Sequence, residues 1–371
     1  MRETTTSGIR LQYPDEVSFA FMPFRLVLSG ANLKSMLVVA TVGNQSLSAK
    51  YDAINGNLYA DIREYLSTFF DGVKWGDIAY NEEATNANTS KNCRVYVYAR
   101  KTDNTQVEFN FTTSLVWGAM KFGETWNGFH EWRWFTKYPA TIGLYANDEG
   151  TLVVGENGSP TRELTIEGAG QIYNFTLNAD DYTAGTRFLS VYDVQGLITQ
   201  ATFDRTFDLT FYAPPTGEQT EVRRLILDDC DYENGYYLRW IDRHGFYRYW
   251  LFKSLGDYSA KIESKGEFLR NNILAYDDAS FGYKWHAGRN QNYARNEVCP
   301  ICAPLVDSAT WDALLDICSS PVVDLFVGYK DSGEPIWLAV TTEQGTYTKG
   351  AEALQDFIVN LVFPQTQTQA L

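Results

Sequence analysis

The chain has 371 residues, with 44% hydrophobic, 15% aromatic and 21% charged residues and a formal net charge of −15. That length suits two or three domains, and that balance makes a globular chain whose aromatic content favours strands. So acidic a surface has no general attraction for phosphate backbones or anionic membranes, and no apolar run reaches the roughly 18–20 residues of a membrane-spanning helix.

The N-terminal octet, Met1 to Gly8, lacks an apolar segment, so no secretory signal is read there. Short strands are expected at Val17–Phe21 and Arg25–Leu28. The apolar run Met36–Val42 has the form of a strand buried on both faces. Asn55-Gly56 marks a turn, and a short helix is predicted from Asp61 to Phe70, with Ile62, Tyr65, Leu66 and Phe69 recurring at three- and four-residue intervals. Asn81 to Asn92 reads as a polar loop. Arg94–Tyr98 and Gln106–Thr112 read as strands of a hairpin turning at Lys101–Thr105.

A second region opens near Ser114 on a tryptophan-rich stretch holding Trp117, Trp126, Trp132 and Trp134. Strands are expected at Leu152–Val154, Glu163–Ile166, Ile172–Leu177, Phe188–Val191 and Thr206–Phe211. Their spacing of about ten residues suits a sandwich or barrel. Pro214-Pro215-Thr216-Gly217 is the clearest boundary.

Beyond it, Tyr236–Ile241 and Phe246–Phe252 flank Asp242-Arg243-His244-Gly245 as an aromatic hairpin. Its alternation, including Trp240 and Trp250, predicts one buried face. Asp307-Ser308 can cap a helix from Ala309 to Cys318 that ends before Pro321, with Trp311, Leu314, Leu315 and Cys318 on one side. Strands are predicted at Val322–Val327, Ile336–Thr341 and Leu354–Phe363, with a frayed polar tail from Gln365. The fold expected is mainly β, two or three β-sandwich or barrel-like domains with a few short helices, over 1–113, 114–213 and 218–365.

Candidate chemistry is sparse. The three histidines, His130, His244 and His286, sit in no recognised motif, and no Gly-x-Ser-x-Gly, Walker A or Gly-x-Gly-x-x-Gly pattern occurs. Among five cysteines only Cys299 and Cys302 have ligand-like spacing, and no second pair completes a zinc site, so packing thiols are the reading. Five Asn-x-Ser/Thr sequons, at Asn44, Asn88, Asn110, Asn157 and Asn174, read as chance in the absence of a signal. Asp180-Asp181, Asp228-Asp229-Cys230-Asp231 and Asp277-Asp278 lack the order of a calcium loop and read as solvated turns. The expectation is therefore no catalytic residue, no cofactor and no metal. Trp117, Trp126, Trp132, Trp134, Trp240 and Trp250 are the candidates for packing or an interface.

The segment Tyr236–Phe252 resembles one found in phage and prophage proteins of gut Bacteroidota. The C-terminal series is similar to that of tail and baseplate proteins of tailed phages. It comprises Trp311 with Leu314-Leu315, then Ser320-Pro321-Val322-Val323-Asp324-Leu325, Ile336–Val340 and Leu354–Leu361. The likeness covers 215–365. It implies a structural virion protein in the tail, baseplate or neck, made in the host cytoplasm and partnered by itself in a ring or tube and by other virion proteins. It carries no catalytic residues. The rival readings are a carbohydrate- or receptor-binding fibre protein with Trp117, Trp126, Trp132 and Trp134 in a groove, and a tail-associated glycan hydrolase, for which no carboxylate pair stands out.

Overall fold

The computed structural model describes residues 1–364 apart from 16, 55, 72–84, 87–89, 120–130, 136, 147–149, 157–158, 167–170, 178–204, 214–217, 229, 244, 265, 270–287 and 291. The sequence reading at Phe188–Val191, at Trp126 and at all three histidines lies outside the described residues, as does the tail. The chain is mainly β. It forms two compact units, one of Met1–Asp231, Arg239–Trp250 and Gly328–Ile336, the other of Tyr232–Leu238, Leu251–Val327 and Trp337–Leu371.

In the first unit, β1 (Arg2–Thr6), β2 (Ile9–Tyr13), β4 (Arg25–Ser29) and β7 (Leu58–Asp61) form one sheet in that order. A second sheet runs β3 (Val17–Phe19), β10 (Gln106–Val116), β9 (Ser90–Lys101), β5 (Leu33–Val42) and β6 (Gln45–Asp52). Register fixes the core. Val38 lies opposite Val97, which lies opposite Phe109, while Leu11, Leu28 and Leu58 align across the other sheet. These residues are buried in one cluster, closed by Phe24, Ile62, Leu66, Phe69 and Phe70. Each such side chain contributes about 1.5–3 kcal/mol by leaving water.

The helix expected over 61–70 is α1 (Arg63–Ser67) running into a 3₁₀ turn, Thr68–Phe70. It buries Leu66, Phe69 and Phe70 but leaves Tyr65 exposed. The run Met36–Val42 is buried on one face only: Met36, Val38 and Ala40 are inside, while Leu37 is exposed and Val39 half-buried. A sandwich sheet has one face on the core, so an apolar run there need not be covered twice. Ser90–Asn92, read as loop, begin β9, and β10 runs without a break through 113 and 114. The Lys101–Thr105 turn closes by Lys101 N–H to the Thr105 carbonyl at 2.9 Å, with the Asp103 carboxylate accepting from the Thr105 N–H and hydroxyl.

Further strands of this unit form two sheets. One is β11 (Glu131–Phe135), β17 (Glu218–Asp228), β16 (Arg205–Ala213), β13 (Gly150–Glu156) and β14 (Ser159–Ile166), with β11 parallel to β17. The other is β12 (Ala140–Ala146), β15 (Gln171–Leu177) and β8 (Thr85–Asn86).

A third large sheet runs β19 (Tyr247–Ser254), β18 (Tyr236–Ile241), β24 (Val323–Tyr329), β25 (Pro335–Thr342), β26 (Leu354–Val362), β23 (Tyr293–Asp307) and β20 (Ser259–Ser264). Lys253 and Ser254 of β19 also pair with Cys302 and Ile301 of β23, which closes six of these strands into a barrel and leaves β20 outside the ring. Along β23 and β26 one face is buried throughout, with Cys299, Ile301 and Ala303 opposite Leu361, Val359 and Phe357. Phe357 meets Phe252, and Trp311 stands edge-on to it at 5.5 Å. Trp311 belongs to α2 (Ser308–Leu315), whose N-terminus is capped by the Asp307 carboxylate accepting from Thr310 N–H at 2.7 Å, as the sequence predicts.

The aromatic hairpin departs from the expected single buried face. Tyr237 to Ile241 and Tyr247 to Tyr249 are all buried, so both faces are covered. Its turn is organised by Asp242. The Asp242 N–H bonds the Phe246 carbonyl at 2.9 Å and the Gly245 N–H bonds the Asp242 carbonyl at 3.0 Å, while Gly245 takes φ +84°. One Asp242 carboxylate oxygen accepts from the Phe246 N–H at 3.0 Å and the other from Arg248 Nε at 2.8 Å, in a site where the Asp242 side chain is wholly enclosed. Removing one member of a buried pair leaves an uncompensated charge. Asp242→Ala should therefore cost about 3–5 kcal/mol in urea unfolding, whereas Lys330→Ala, which breaks the exposed Lys330–Glu334 pair, should cost under about 1 kcal/mol.

Burial pushes the Cys93 thiol up to about 12. An unfolded thiol ionises from about pH 9, so between about pH 9 and 12 the unfolded chain has lost a proton that the folded chain keeps. Stability then falls as pH rises, by up to about 1.4 kcal/mol per pH unit. Chemical denaturation across that range should show the slope, and Cys93→Ala should flatten it even though the variant is less stable at pH 7.

Candidate functional site

Among the described residues the tryptophans single out no common groove. Trp134 is buried to 1% exposure, and its indole N–H donates to the Tyr138 carbonyl at 2.8 Å. Trp117 is half-buried against the N-terminal core and edge-on to Phe21 at 5.5 Å. Trp240 is fully enclosed, and Trp250 is half-buried. Trp132 takes its place on β11 opposite Leu225. Trp134 therefore lies in the core and not in a sugar groove: although β11 is an edge strand of its sheet, Trp134 and the adjacent Phe135 are both buried.

Around Trp250 the packing is specific. Phe135 stands edge-on to its ring at 5.5 Å, and the Arg133 guanidinium lies 5.4 Å above it while pairing with Asp228 at 2.6 Å. Next to them Asp231 takes Lys137 at 2.6 Å and the Tyr138 hydroxyl at 3.3 Å. Burial and the Asp231 charge push the Tyr138 phenol up to about 12, and the Lys137 ammonium holds Asp231 below the usual carboxylate range. This assembly orders β11 against its neighbours and holds no reactive group. Trp134→Ala should cost about 3–5 kcal/mol and Trp250→Ala about half as much, measured by thermal or urea unfolding.

Gly118 marks another close approach. A Cβ there would stand 2.4 Å from the Arg243 carbonyl oxygen and 2.9 Å from Phe19, and the neighbouring Ala119 N–H donates to that same carbonyl at 2.8 Å. Only glycine fits between these groups.

Cys299 and Cys302 do not form a ligand pair. Three residues apart on one strand, they point to opposite faces, Cys299 opposite Leu361 and Cys302 opposite Ile358. Both are buried and unbridged, and burial pushes Cys302 up to about 11. Among the described residues no group of three or more His, Cys, Asp or Glu side chains could hold a metal.

Two features lie where the sequence drew no attention. The first is a ribbon. β20 pairs with β23 from Ser259–Val298 to Ser264–Tyr293, and β21 (Glu267–Leu269) pairs with β22 (Gly288–Asn290) in the same register. At roughly 3.3 Å per residue the β20 ladder alone runs about 20 Å, and the β21–β22 ladder keeps its register. Every residue of β20 is exposed, including Ile262 at 63%, and β20 ends the sheet order.

The second is a cleft of about 460 Å³ at the base of that ribbon, lined by Asp257–Lys261, Val298, Pro300, Glu343 and Asn360. Register explains it. Ser259 lies opposite Val298, and Pro300 opposite Asn360, so these side chains share the face of β23 turned away from the barrel interior. Glu343 is held over that face by its N–H to the Asn360 carbonyl at 2.9 Å, by Asn360 Nδ2 donating to its carboxylate at 2.7 Å, and by the Tyr347 hydroxyl donating to its carbonyl at 2.8 Å. Tyr258 is 54% exposed, and its hydroxyl accepts from Arg295 at 3.3 Å. Lys261 pairs with Glu263 at 3.0 Å; that carboxylate, and then Glu343, hold the ammonium above its ordinary range. No motif announces these residues, since they come from four separate stretches of chain.

No protein-family model matches the chain, and no curated protein does. Solved structures are similar only distantly. The periplasmic chaperone SfaE is 10% identical, over 60% of this chain and all of that one, at a TM-score of 0.18. A structure of a 1.5-MDa bacterial ice-binding adhesin is 10% identical, over 89% of this chain and 95% of that one, at 0.18. The Bacteroides ovatus mixed-linkage glucan utilization protein SGBP-B is 7% identical, over 95% and 72%, at 0.18. Scores this low assign neither family nor function.

Proposed function

We propose that this chain is a structural protein of a tailed-phage particle, in its tail, baseplate or neck, which acts by assembling with copies of itself into a ring or tube and with other virion proteins. The observation that carries the assembly reading is the ribbon. A two-stranded ribbon is marginal in water unless a third strand or a packed face supports it. Among the described residues the outer strand has no strand beyond it in its sheet, and it exposes all six of its side chains, Ile262 among them. Such an edge is a template for a strand from a neighbouring subunit, with backbone hydrogen bonds supplying affinity. The phage assignment rests on the C-terminal sequence likeness over 215–365.

Light scattering of the purified chain at rising concentration should reveal a defined oligomer. Ile262→Lys, which charges the edge, should shift it towards monomer by tenfold or more in dissociation constant, or about 1.4 kcal/mol. Mass spectrometry of purified particles should detect the chain. A strictly monomeric chain, absent from particles, overturns the proposal.

A further inference from the structure

The cleft beside β20 has no part in the assembly reading, and its chemistry is specific. Its floor is apolar, Val298 and Pro300, and beside the floor stands a tyrosine ring more than half exposed, its hydroxyl engaged by Arg295. Its rim offers both donors and acceptors: the Asn360 amide, the Ser259 hydroxyl, and the Glu343 and Asp257 carboxylates. Glu343 is fixed by three hydrogen bonds, so ordering it costs little when something binds. Among the described residues the one cation that lines the cleft, Lys261, is already paired with Glu263. Carboxylates therefore set the local potential, and an anionic ligand is disfavoured. A volume of about 460 Å³ is within the range of small-molecule clefts.

An apolar floor with an exposed aromatic ring, edged by fixed acceptors and amide donors and, among the described residues, lined by no unpaired cation, matches a neutral sugar. Sugar rings have an apolar C–H face that lies on an aromatic ring and equatorial hydroxyls that reach carboxylates and amides. We propose that this cleft is a binding site for a neutral saccharide, with Tyr258 as the platform and Glu343 and Asn360 as the hydroxyl-reading groups. The site is separate from the tryptophan stretch; it shares Ser259, Ala260 and Lys261 with β20 but does not include Ile262.

The test is titration of the full chain, by calorimetry and saturation-transfer NMR, with maltohexaose, cellohexaose, mannohexaose and a hexagalacturonate. At least one neutral hexasaccharide should bind saturably at about 0.1–1 mM, as suits a shallow open site. The hexagalacturonate should bind more weakly than that sugar. Tyr258→Ala should weaken binding roughly fivefold to tenfold, as loss of an aromatic contact does. Glu343→Gln should weaken it by a similar factor and narrow the gap to the uronate. Both side chains are exposed, so melting curves should show both variants folded. Ile262→Lys should bind the sugar as the parent does, which separates this site from the assembly edge. Absence of saturable binding to any neutral hexasaccharide up to about 10 mM, unchanged affinity in folded Tyr258→Ala and Glu343→Gln, or preference for the uronate each overturns the proposal.

Discussion

Strand β23 is longer than the barrel needs, and much of the second unit's form follows from that. Its fifteen residues serve several ladders: β26 along one edge from Val298 onward, and β19 then β20 along the other. A closed barrel has no edges to guard. The surplus at Tyr293–Glu297 lies beyond the ladder with β26, so it carries β20 outside the ring, and among the described residues β20 exposes the edge that closure elsewhere removes. The cleft lies where the overhang begins, because Ser259 beside Val298 and Pro300 beside Asn360 share the face of β23 turned away from the interior, and Glu343 is tied back to Asn360 there. The ribbon and the cleft are thus two consequences of one strand length.

Rigidity where the aromatic hairpin turns comes from a different source. Asp242 has both carboxylate oxygens engaged, one by a backbone N–H and one by Arg248, while the Arg239 guanidinium lies 5.4 Å over the Tyr247 ring. Buried charges add little net stability beyond what apolar replacements would give, but they penalise every arrangement that separates them. A hairpin rich in interchangeable aromatics could slip in register without large loss of contact area. A carboxylate that must meet Phe246 N–H and Arg248 together admits one register, a role the turn sequence alone does not reveal.

What was legible in the sequence was local. The Asp307 cap, the turn around Gly245, the Lys101–Thr105 loop and the apolar positions of α1 depend on residues within one or two turns of each other, and each appears where local chemistry places it. What was not legible depended on distant partners. Met36–Val42 reads alike whether one or both faces are covered, since apolar content does not state how many layers will form. Cys299 and Cys302 look like a ligand pair until the strand through them is known, after which period-two alternation separates them. The ribbon went unread because Ser259–Ser264 lacks an apolar alternation: no face of it meets a core. The residues of the cleft converge only through the β20–β23–β26 register, a non-local property for which spacing along the chain carries no signal.

Charge finally constrains how such a chain can associate. At −15 the copies repel at long range, yet repulsion between exposed charges fades beyond about 8 Å at physiological ionic strength. Contact is therefore decided by the few side chains at the edge itself. There Lys261 and Glu263 neutralise one another on one face of β20, and Ile262 on the other face is uncharged. The net field repels one copy of the chain from another in dilute solution, while this six-residue edge carries no net charge to oppose a strand brought alongside. An edge defended against pairing would place unpaired lysines or a proline there; β20 has neither, in a chain whose acidity elsewhere guards against indiscriminate contact.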